Sequence, residues 1–365
     1  MSAVAKITGL LLLSVTLLAA ATGRRTGTTP LLLSYPAYFG NRIYQPADNP
    51  LTKEGVQLGR MLFYEKALSA NHTIACAGCH KQEKAFADDR QFSAGFDGVA
   101  TERNAMALVN LLWVRNYFWD GRTNSLEKQA AVPLTHPHEM GQTINAAVAA
   151  LQRTKVYPAA FQKAFGSDTI TGDRITKALA QFERTLISCN APYDKYLRGE
   201  YKPLASETNG MELFFTNPNP ERQVRGAGCG QCHGGPKTFI ELFHNNGLDS
   251  MPADAGREKI TGFDADKGRF RVVTLRNIAL TAPYMHDGRF ATLEQVIDHY
   301  SDHIQQSGTL SPFLRTNSNN INGSKLQLTI QEKKDLLAFL QMLTDSSFIT
   351  NPQFADPFIK NKKVF

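Results

Sequence analysis

Two short segments of the chain place cysteine and histidine at a spacing that can hold a prosthetic group. The sequence reads CAGCH at residues 76–80 and CGQCH at residues 229–233. Cysteine pairs of this kind can form disulfides in exported proteins or bind zinc. The histidine that directly follows each second cysteine instead indicates covalent attachment of a c-type heme. We therefore predict two covalently bound c-type hemes, attached through Cys76, Cys79, Cys229 and Cys232, with the iron ligands His80 and His233.

The N-terminus and the overall charge restrict where the protein acts and what it binds. Residues 1–23 contain one lysine, an apolar run and then small residues, which is the layout of a secretory signal. The run is shorter than the roughly 20 apolar residues of a transmembrane helix. We expect a soluble periplasmic protein that contacts the membrane only if the signal is not cleaved. The net charge of +7 is scattered along the chain, which gives no support to nucleic-acid binding.

The same order of short motifs occurs twice along the chain, which indicates a tandem duplication. GRMLF at 59–63 and GMELF at 210–214 each precede a heme-attachment motif. Downstream, ERNAM…FWDGRTNSLE is echoed by LRNIA…MHDGRFATLE, which pairs Asn104 with Asn277. Each half then ends in a predicted amphipathic helix, the second of which begins with a capping box at Thr329. The apolar residues of these two helices, which we expect in the core, are Ile175, Leu179, Phe182 and Leu186, and Leu336, Phe339, Leu340 and Leu343.

This organisation predicts a mainly α fold with two tandem class I cytochrome c-like domains, each carrying one covalently bound heme. The length of 365 residues allows each domain its own core. The first domain is predicted at 45–197 and the second at 198–350. An N-terminal extension at 24–44 and a C-terminal tail at 351–365 complete the chain.

The two halves differ at a position that could ligate iron. Seven residues after the aligned leucines of the two LE pairs, the first half has Pro133 and the second has Tyr300. A tyrosine phenolate can ligate heme iron, whereas proline has no ligating atom. We expect Thr292 to cap a helix with Tyr300 on its last turn, so the second iron would be filled and the first open. Other ligands for the second iron remain open at this stage, namely Met285, His286, His299 and His303.

The first half also contains polar residues that an open heme would use. Cleavage of a peroxide bond requires a proton to move from the inner to the outer oxygen, and a nearby carboxylate can carry it. Glu139 fits this role, with Gln129 ten residues upstream, although a lone glutamate is more often a surface residue. Trp119 either packs in the core or forms an electron bridge between the two hemes.

At this level the sequence resembles the bacterial diheme cytochrome c peroxidases and the related diheme enzyme that matures methylamine dehydrogenase. The resemblance runs from about residue 49 to 345. It rests on the two heme motifs and on the sequence segments Arg-Asn-Ala (residues 103–105), FWDGR, LEKQA, HEMG and APYMHDGRFATLE. It implies a peroxidatic first heme, an electron-transfer second heme and a calcium ion between them. It identifies Trp119 as the inter-heme tryptophan, and Gln129 and Glu139 as the peroxide-pocket pair, with Glu139 as the acid–base catalyst. The calcium ligands that it implies are Asn104, Thr281 and Pro283.

Two positions depart from the common pattern of these peroxidases. Phe96 stands where many of them have a histidine that caps the peroxidatic heme, so we expect an open site without reductive activation. Tyr300 stands where the peroxidases usually have methionine and the maturation enzyme has tyrosine. A phenolate ligand lowers the heme potential, which leaves the electron donor uncertain.

Three functions are compatible with these features. The leading one is an exported peroxidase that reduces hydrogen peroxide, with electrons from a small cytochrome c or cupredoxin. The alternative is a maturation-type oxidase that uses high-valent iron to oxidise a partner protein or a quinone-like substrate, and Tyr300 and Phe96 favour it. The third is an electron carrier or redox sensor without turnover, against which Gln129 and Glu139 argue. The sequence leaves a homodimer open.

Overall fold

The computed structural model describes residues 27–359, and helices form most of its regular structure. The predicted signal at 1–23 lies outside the described residues. The helices are α1 Lys53–Phe63, α2 Cys76–Cys79, α3 Leu126–Thr135, α4 Ile144–Gln152, α5 Val156–Phe165, α6 Gly172–Arg184, α7 Pro192–Leu197, α8 Ala205–Phe215, α9 Glu258–Thr261, α10 Leu293–Asp298, α11 Pro312–Arg315, α12 Ile330–Gln341 and α13 Ser346–Ile349. Two short strands, β1 Phe243–His244 and β2 Phe270–Arg271, pair antiparallel, with Phe243 opposite Arg271. Among residues 27–359, no helix is both long and apolar enough to cross a bilayer.

In each half, the helix before the heme motif crosses the closing helix at a glycine. A Cβ atom on Gly59 of α1 would collide with the carbonyl oxygen of Ala178 on α6. A Cβ atom on Gly210 of α8 would collide with the carbonyl oxygen of Asp335 on α12 in the same way. The glycine shared by GRMLF and GMELF is therefore required because two helix backbones approach closely at that point.

The apolar faces of the closing helices lie in two buried clusters, as the sequence predicts. Helix α6 and the segment just after it contribute Ile175, Leu179, Phe182 and Leu186 to the first cluster. Helix α12 and the segment just after it contribute Leu336, Phe339, Leu340 and Leu343 to the second cluster. The predicted capping box is confirmed, because Thr329 accepts a hydrogen bond from the Glu332 amide and the Glu332 carboxylate accepts one from the Thr329 amide. The domain boundaries stay predictions.

The structure corrects one pairing of the repeat. Asn277 corresponds to Asn110 and not to Asn104, because both Asn277 and Asn110 have a left-handed backbone and begin a short 3-10 turn. Both side-chain amides donate to Ser188. Their backbone amides bond to carbonyls just after the two closing helices. The Arg-Asn pair that residues 103–104 share with residues 276–277 suggested the wrong alignment, because it is a short match. The number of residues to the Asp-Gly-Arg turn is the same from Asn110 as from Asn277.

Candidate active site

The first heme-attachment motif folds into a single helical turn. The backbone amide of His80 donates to the carbonyl of Cys76 over 2.9 Å, which brings the imidazole beside the two cysteines. The Nδ1 atom of His80 lies 2.8 Å from the carbonyl oxygen of Phe86, so Nδ1 carries the proton and Nε2 keeps its lone pair. Burial lowers the pKa of His80, which favours the neutral imidazole that a metal requires.

The second motif repeats this arrangement with different partners. The amide of His233 donates to the carbonyl of Cys229 over 2.9 Å. The Nδ1 atom of His233 lies 3.1 Å from the carbonyl oxygen of Val273 and 3.3 Å from that of Thr238. Burial lowers the pKa of His233 to about 4, so this imidazole is also neutral at physiological pH.

Each motif opens into its own cavity, and the residues present there fit a covalently attached heme. Cys76, Cys79 and His80 line the first cavity, and the corresponding residues of the second motif line the second. The four cysteines are free thiols and form no disulfide. The walls around them are mainly apolar, and the Nε2 atom of each histidine is left available by the backbone bond at Nδ1. Two thiols and one imidazole per apolar cavity are the donor set of a c-type heme.

Helix α3 supplies the polar wall of the first cavity. The helix begins at its cap Ser125, whose hydroxyl accepts from the amide of Lys128. Gln129 and Pro133 lie one helical turn apart and both line the cavity. The chain turns after α3, and Glu139 lines the same cavity. The structure thus brings together the peroxide-pocket residues that the sequence indicated.

Glu139 has the electrostatic character of a proton carrier. Burial raises the pKa of its carboxyl group, while the nearby His136 and Arg122 lower it by a smaller amount. The Nδ1 atom of His136 lies 3.8 Å from Oε1 of Glu139. A carboxyl group whose pKa is raised by burial holds a proton more readily than an exposed one, which suits a group that carries a proton between two oxygens.

Phe96 holds the loop next to Glu139. The amide of Phe96 donates to the carbonyl oxygen of Glu139 over 2.8 Å. Its ring covers Gly141, which has a φ of +62°, and a side chain at Gly141 would collide with that ring. Phe96 is not among the residues that line the first cavity, and its ring has no atom that can ligate iron.

Trp119 lies between the two cavities. Its side chain lines both of them, and its Nε1 atom donates to the carbonyl oxygen of Asn104 over 2.8 Å. This hydrogen bond fixes the position of the indole ring, because moving the ring would leave its N–H group without a partner. Arg271 of β2 also lines both cavities and was not anticipated, since a lone arginine carries no motif.

The predicted calcium ligands Asn104, Thr281 and Pro283 all line the second cavity, and the carbonyl oxygen of Asn104 accepts the hydrogen bond from Trp119. The side-chain amide of Asn104 donates to the carbonyls of Arg90 at 3.1 Å and Gln91 at 3.2 Å, which directs its Oδ1 atom away from them. Amide and carbonyl oxygens suit a hard cation. These residues fit calcium, and the site stays a prediction.

Tyr300 and Met285 meet at the second cavity. Tyr300 lies in the π-helical turn His299–His303 that follows α10, just beyond the helix on which it was expected. The predicted cap Thr292 is confirmed. The side-chain amide of Asn246 lies 3.4 Å from the Tyr300 hydroxyl and 3.4 Å from the Met285 sulfur. Asn246 was missed, because nothing in a single sequence marks an asparagine that contacts both ligand candidates.

The histidines near Tyr300 are placed differently. The Nε2 atom of His299 lies 3.0 Å from the carbonyl oxygen of Asn246, and neither His299 nor His303 lines the cavity. His286 does line the cavity, and its ring stacks on Phe270 with centroids 3.7 Å apart. Tyr300 and Met285 are therefore the stronger candidates. Burial raises the pKa of Tyr300 to about 12, so an iron must displace the phenolic proton to bind it.

The chain is similar to known proteins over most of its length. Residues 53–202 match the family described as di-haem cytochrome c peroxidase. The methylamine utilization protein MauG of Methylophilus methylotrophus is 34% identical over 298 residues, which cover 82% of this chain and 84% of that protein. The cytochrome c551 peroxidase of Nitrosomonas europaea is 37% identical over 290 residues, which cover 75% and 84%. A crystal structure of a MauG-like protein associated with microbial copper homeostasis matches with a TM-score of 0.81 and 38% identity, over 90% of this chain and 99% of that one.

Proposed function

The chain belongs to the di-haem cytochrome c peroxidase family, and on that premise we propose that it is an exported peroxidase acting at its first heme. The family gives it two heme cofactors and a peroxidase-type oxidoreductase activity. The proposal assigns hydrogen peroxide reduction to the cavity around His80 and electron delivery to the cavity around His233. Two tandem class I cytochrome c-like domains would carry these sites in the periplasm.

One observation carries this assignment. Gln129, Pro133 and Glu139 line the cavity of His80, whereas Tyr300 and Met285 line the cavity of His233. Pro133 supplies no ligating atom at the position that Tyr300 takes in the repeat. A site that lacks a ligand at this position and contains a carboxyl group with a raised pKa suits peroxide.

The protein residues move the protons of the reaction. Reduction of hydrogen peroxide to two water molecules consumes two electrons and two protons. A heme held by Cys76, Cys79 and His80 would supply an iron that can bind peroxide and transfer electrons. Glu139 would carry the proton of the inner oxygen to the outer oxygen, which leaves as water. The inner oxygen becomes the second water with the two electrons and with two protons taken up from solvent. Gln129 holds the peroxide through its side-chain amide, and Trp119 conducts electrons between the two sites.

We further propose an electron donor for the second site and a calcium site beside Trp119. A small cytochrome c or cupredoxin would donate electrons at the second site, where Tyr300 is the proposed distal ligand. A calcium ion held by Asn104, Thr281 and Pro283 would fix the segments beside Trp119. A homodimer is compatible with this arrangement.

A second candidate function is oxidation of a partner protein. The MauG relatives carry the name of a methylamine utilization protein. Tyr300 is partly buried at the second cavity with its hydroxyl next to Asn246, and a phenolate ligand would make this heme a poor acceptor of electrons from a high-potential donor. Such a site favours oxidation of a protein or quinone-like substrate over rapid turnover with a small cytochrome.

The Glu139→Gln variant tests the proposed function. We expect its reaction with peroxide, followed by stopped-flow absorbance of the purified holoprotein, to slow by about 10²-fold or more, because the proton carrier is removed. The Glu221→Gln variant, at an exposed glutamate that lines neither cavity, is the matched control and should react at the normal rate. Unchanged peroxide reactivity in Glu139→Gln would refute the assignment. If the wild-type protein reacts with peroxide but is not re-reduced by small cytochromes or cupredoxins, the second candidate is favoured.

A further inference from the structure

A second carboxyl group lies at the wall of the first cavity and has no role in the peroxide reaction as described. Glu183 is the next-to-last residue of α6, is only 5% exposed, and is among the residues that line the cavity. Its Oε2 atom is enclosed by protein and has no hydrogen-bond partner among residues 27–359. An ionised carboxylate with a buried and unpartnered oxygen is expensive, so the neutral acid is the stable form.

The charged groups around Glu183 do not stabilise its ionised form. The adjacent Arg184 is committed to Glu127 through two hydrogen bonds of 2.7 and 3.1 Å. Glu127 is itself negative and repels a second carboxylate. The other neighbours are Tyr117, which is neutral because burial raises its pKa, and Cys76, whose sulfur carries no charge once it is bound to the heme as a thioether. Burial raises the pKa of Glu183 to about 8, with Arg184 opposing the shift and Glu127 adding to it.

We propose that Glu183 is the redox-linked proton site of the first heme, releasing its proton when that heme is oxidised and regaining one when the heme is reduced. The electron leaves to the second heme or to an external oxidant, and the proton leaves to solvent. The inference rests on the proposed function only in requiring a heme at the cavity of His80. The positive charge that oxidation adds to the heme acts across an apolar cavity, where it interacts strongly with a carboxylate.

The direction in which the reduction potential changes with pH follows from the protonation of Glu183 in the reduced and in the oxidised state of the heme. With the heme reduced, Glu183 keeps its proton; with the heme oxidised, its pKa falls and the proton is released. The reduction potential of the first heme therefore decreases as pH rises across the range between these two pKa values. Outside that range the contribution of Glu183 is constant. Glu139 and the heme propionates also titrate near this heme, so the experiment must separate them from Glu183.

The test uses spectroelectrochemical titration of the holoprotein across the neutral pH range. The starting protein is the Glu139→Gln variant, which removes the carboxyl group assigned to the peroxide reaction. We expect the potential of its first heme to decrease with pH, and this decrease to be weakened in Glu139→Gln/Glu183→Gln, because glutamine resembles the protonated acid and cannot ionise. An exposed change on the same helix, Asp173→Asn, is the matched control and should leave the pH dependence unchanged.

Equal pH dependence in the two proteins would overturn the proposal. If the double variant fails to incorporate heme, Glu183→Asp keeps a carboxyl group at the site: a shifted pH midpoint supports the proposal and an unshifted one refutes it. The measured quantity is the reduction potential of the first heme, which does not depend on peroxide turnover. A protein that holds two hemes but does not reduce peroxide would refute the proposed function, while the pH dependence would still decide the role of Glu183.

Discussion

Tyr300 and Met285 are both within 3.4 Å of the side-chain amide of Asn246, so one donor contacts both candidate ligands of the second heme. The two side chains would give the site opposite properties. Methionine raises the potential of a heme and suits a high-potential donor, whereas phenolate lowers it. The burial that raises the pKa of Tyr300 opposes a free phenolate and is overcome only if the iron binds the oxygen.

Ferric holoprotein with the Tyr300→Phe change tests this choice. We expect the low-spin electron paramagnetic resonance signal of the second heme to be replaced, because the phenolate oxygen is lost while the ring still fills its space. The Met285→Leu protein is the control and should keep the native signal, as should the first heme in both variants. The reverse result, a signal that changes only in Met285→Leu, would assign methionine as the ligand.

Helices α3 and α6 are joined by an ion pair that positions the polar wall of the first cavity. Glu127 in the first turn of α3 accepts two hydrogen bonds from Arg184 of α6 and one of 2.7 Å from Asn49. Gln129 lies two residues further along α3, so this ion pair fixes the position of the polar cavity wall relative to α6. Burial alone would raise the pKa of Glu127, but its bonds to Arg184 and Asn49 outweigh burial and lower the pKa to about 2.

The stability contributed by this pair depends on pH. A depressed pKa means that the stabilisation is complete above the unfolded value of about 4.3 and is lost as the pH falls towards about 2. We expect Glu127→Gln to lower the free energy of unfolding at pH 7 by about 3 kcal/mol, because Arg184 is left buried and unpaired. The variant should also lose stability less steeply in acid.

Chemical denaturation of the holoprotein at a series of pH values measures this effect. The matched control is Glu200→Gln, which removes the exposed ion pair to Arg198 and should change the stability far less than Glu127→Gln does. Parallel acid profiles for the native protein and Glu127→Gln would contradict the prediction.

At the scale of the whole molecule, the central feature is the position of Trp119 between two separate cavities. The indole lines both cavities and is held by the carbonyl of Asn104, whose side chain is one of the predicted calcium ligands. Calcium binding, indole position and electron transfer would then depend on a single short segment.

Replacement of Trp119 by phenylalanine should slow electron transfer between the two hemes. We expect a decrease on the order of tenfold or more, equivalent to about 1.4 kcal/mol on the barrier, because the ring that fills the gap becomes smaller and loses its hydrogen bond. Flash reduction of one heme followed by optical detection of the other gives the rate. Trp113→Phe is the control, since Trp113 donates to Gly40 and lines neither cavity. Equal rates in both variants would exclude the bridging role.

The sequence by itself determined the features that depend on local spacing. The two CxxCH motifs, the apolar faces of α6 and α12 and the caps at Thr292 and Thr329 follow from one or two helical turns. These predictions hold because neighbouring residues interact within the same turn of backbone.

Only the tertiary structure decided which distant residues meet. It paired Asn277 with Asn110, placed Asn246 beside both Tyr300 and Met285, and enclosed Glu183 without a partner at the wall of the first cavity. Each of these facts depends on long-range packing between segments, and a buried carboxyl group has the same letter in the sequence as an exposed one. The pKa of Glu183 is set by that enclosure, because desolvation is a property of the folded surroundings and not of the residue type.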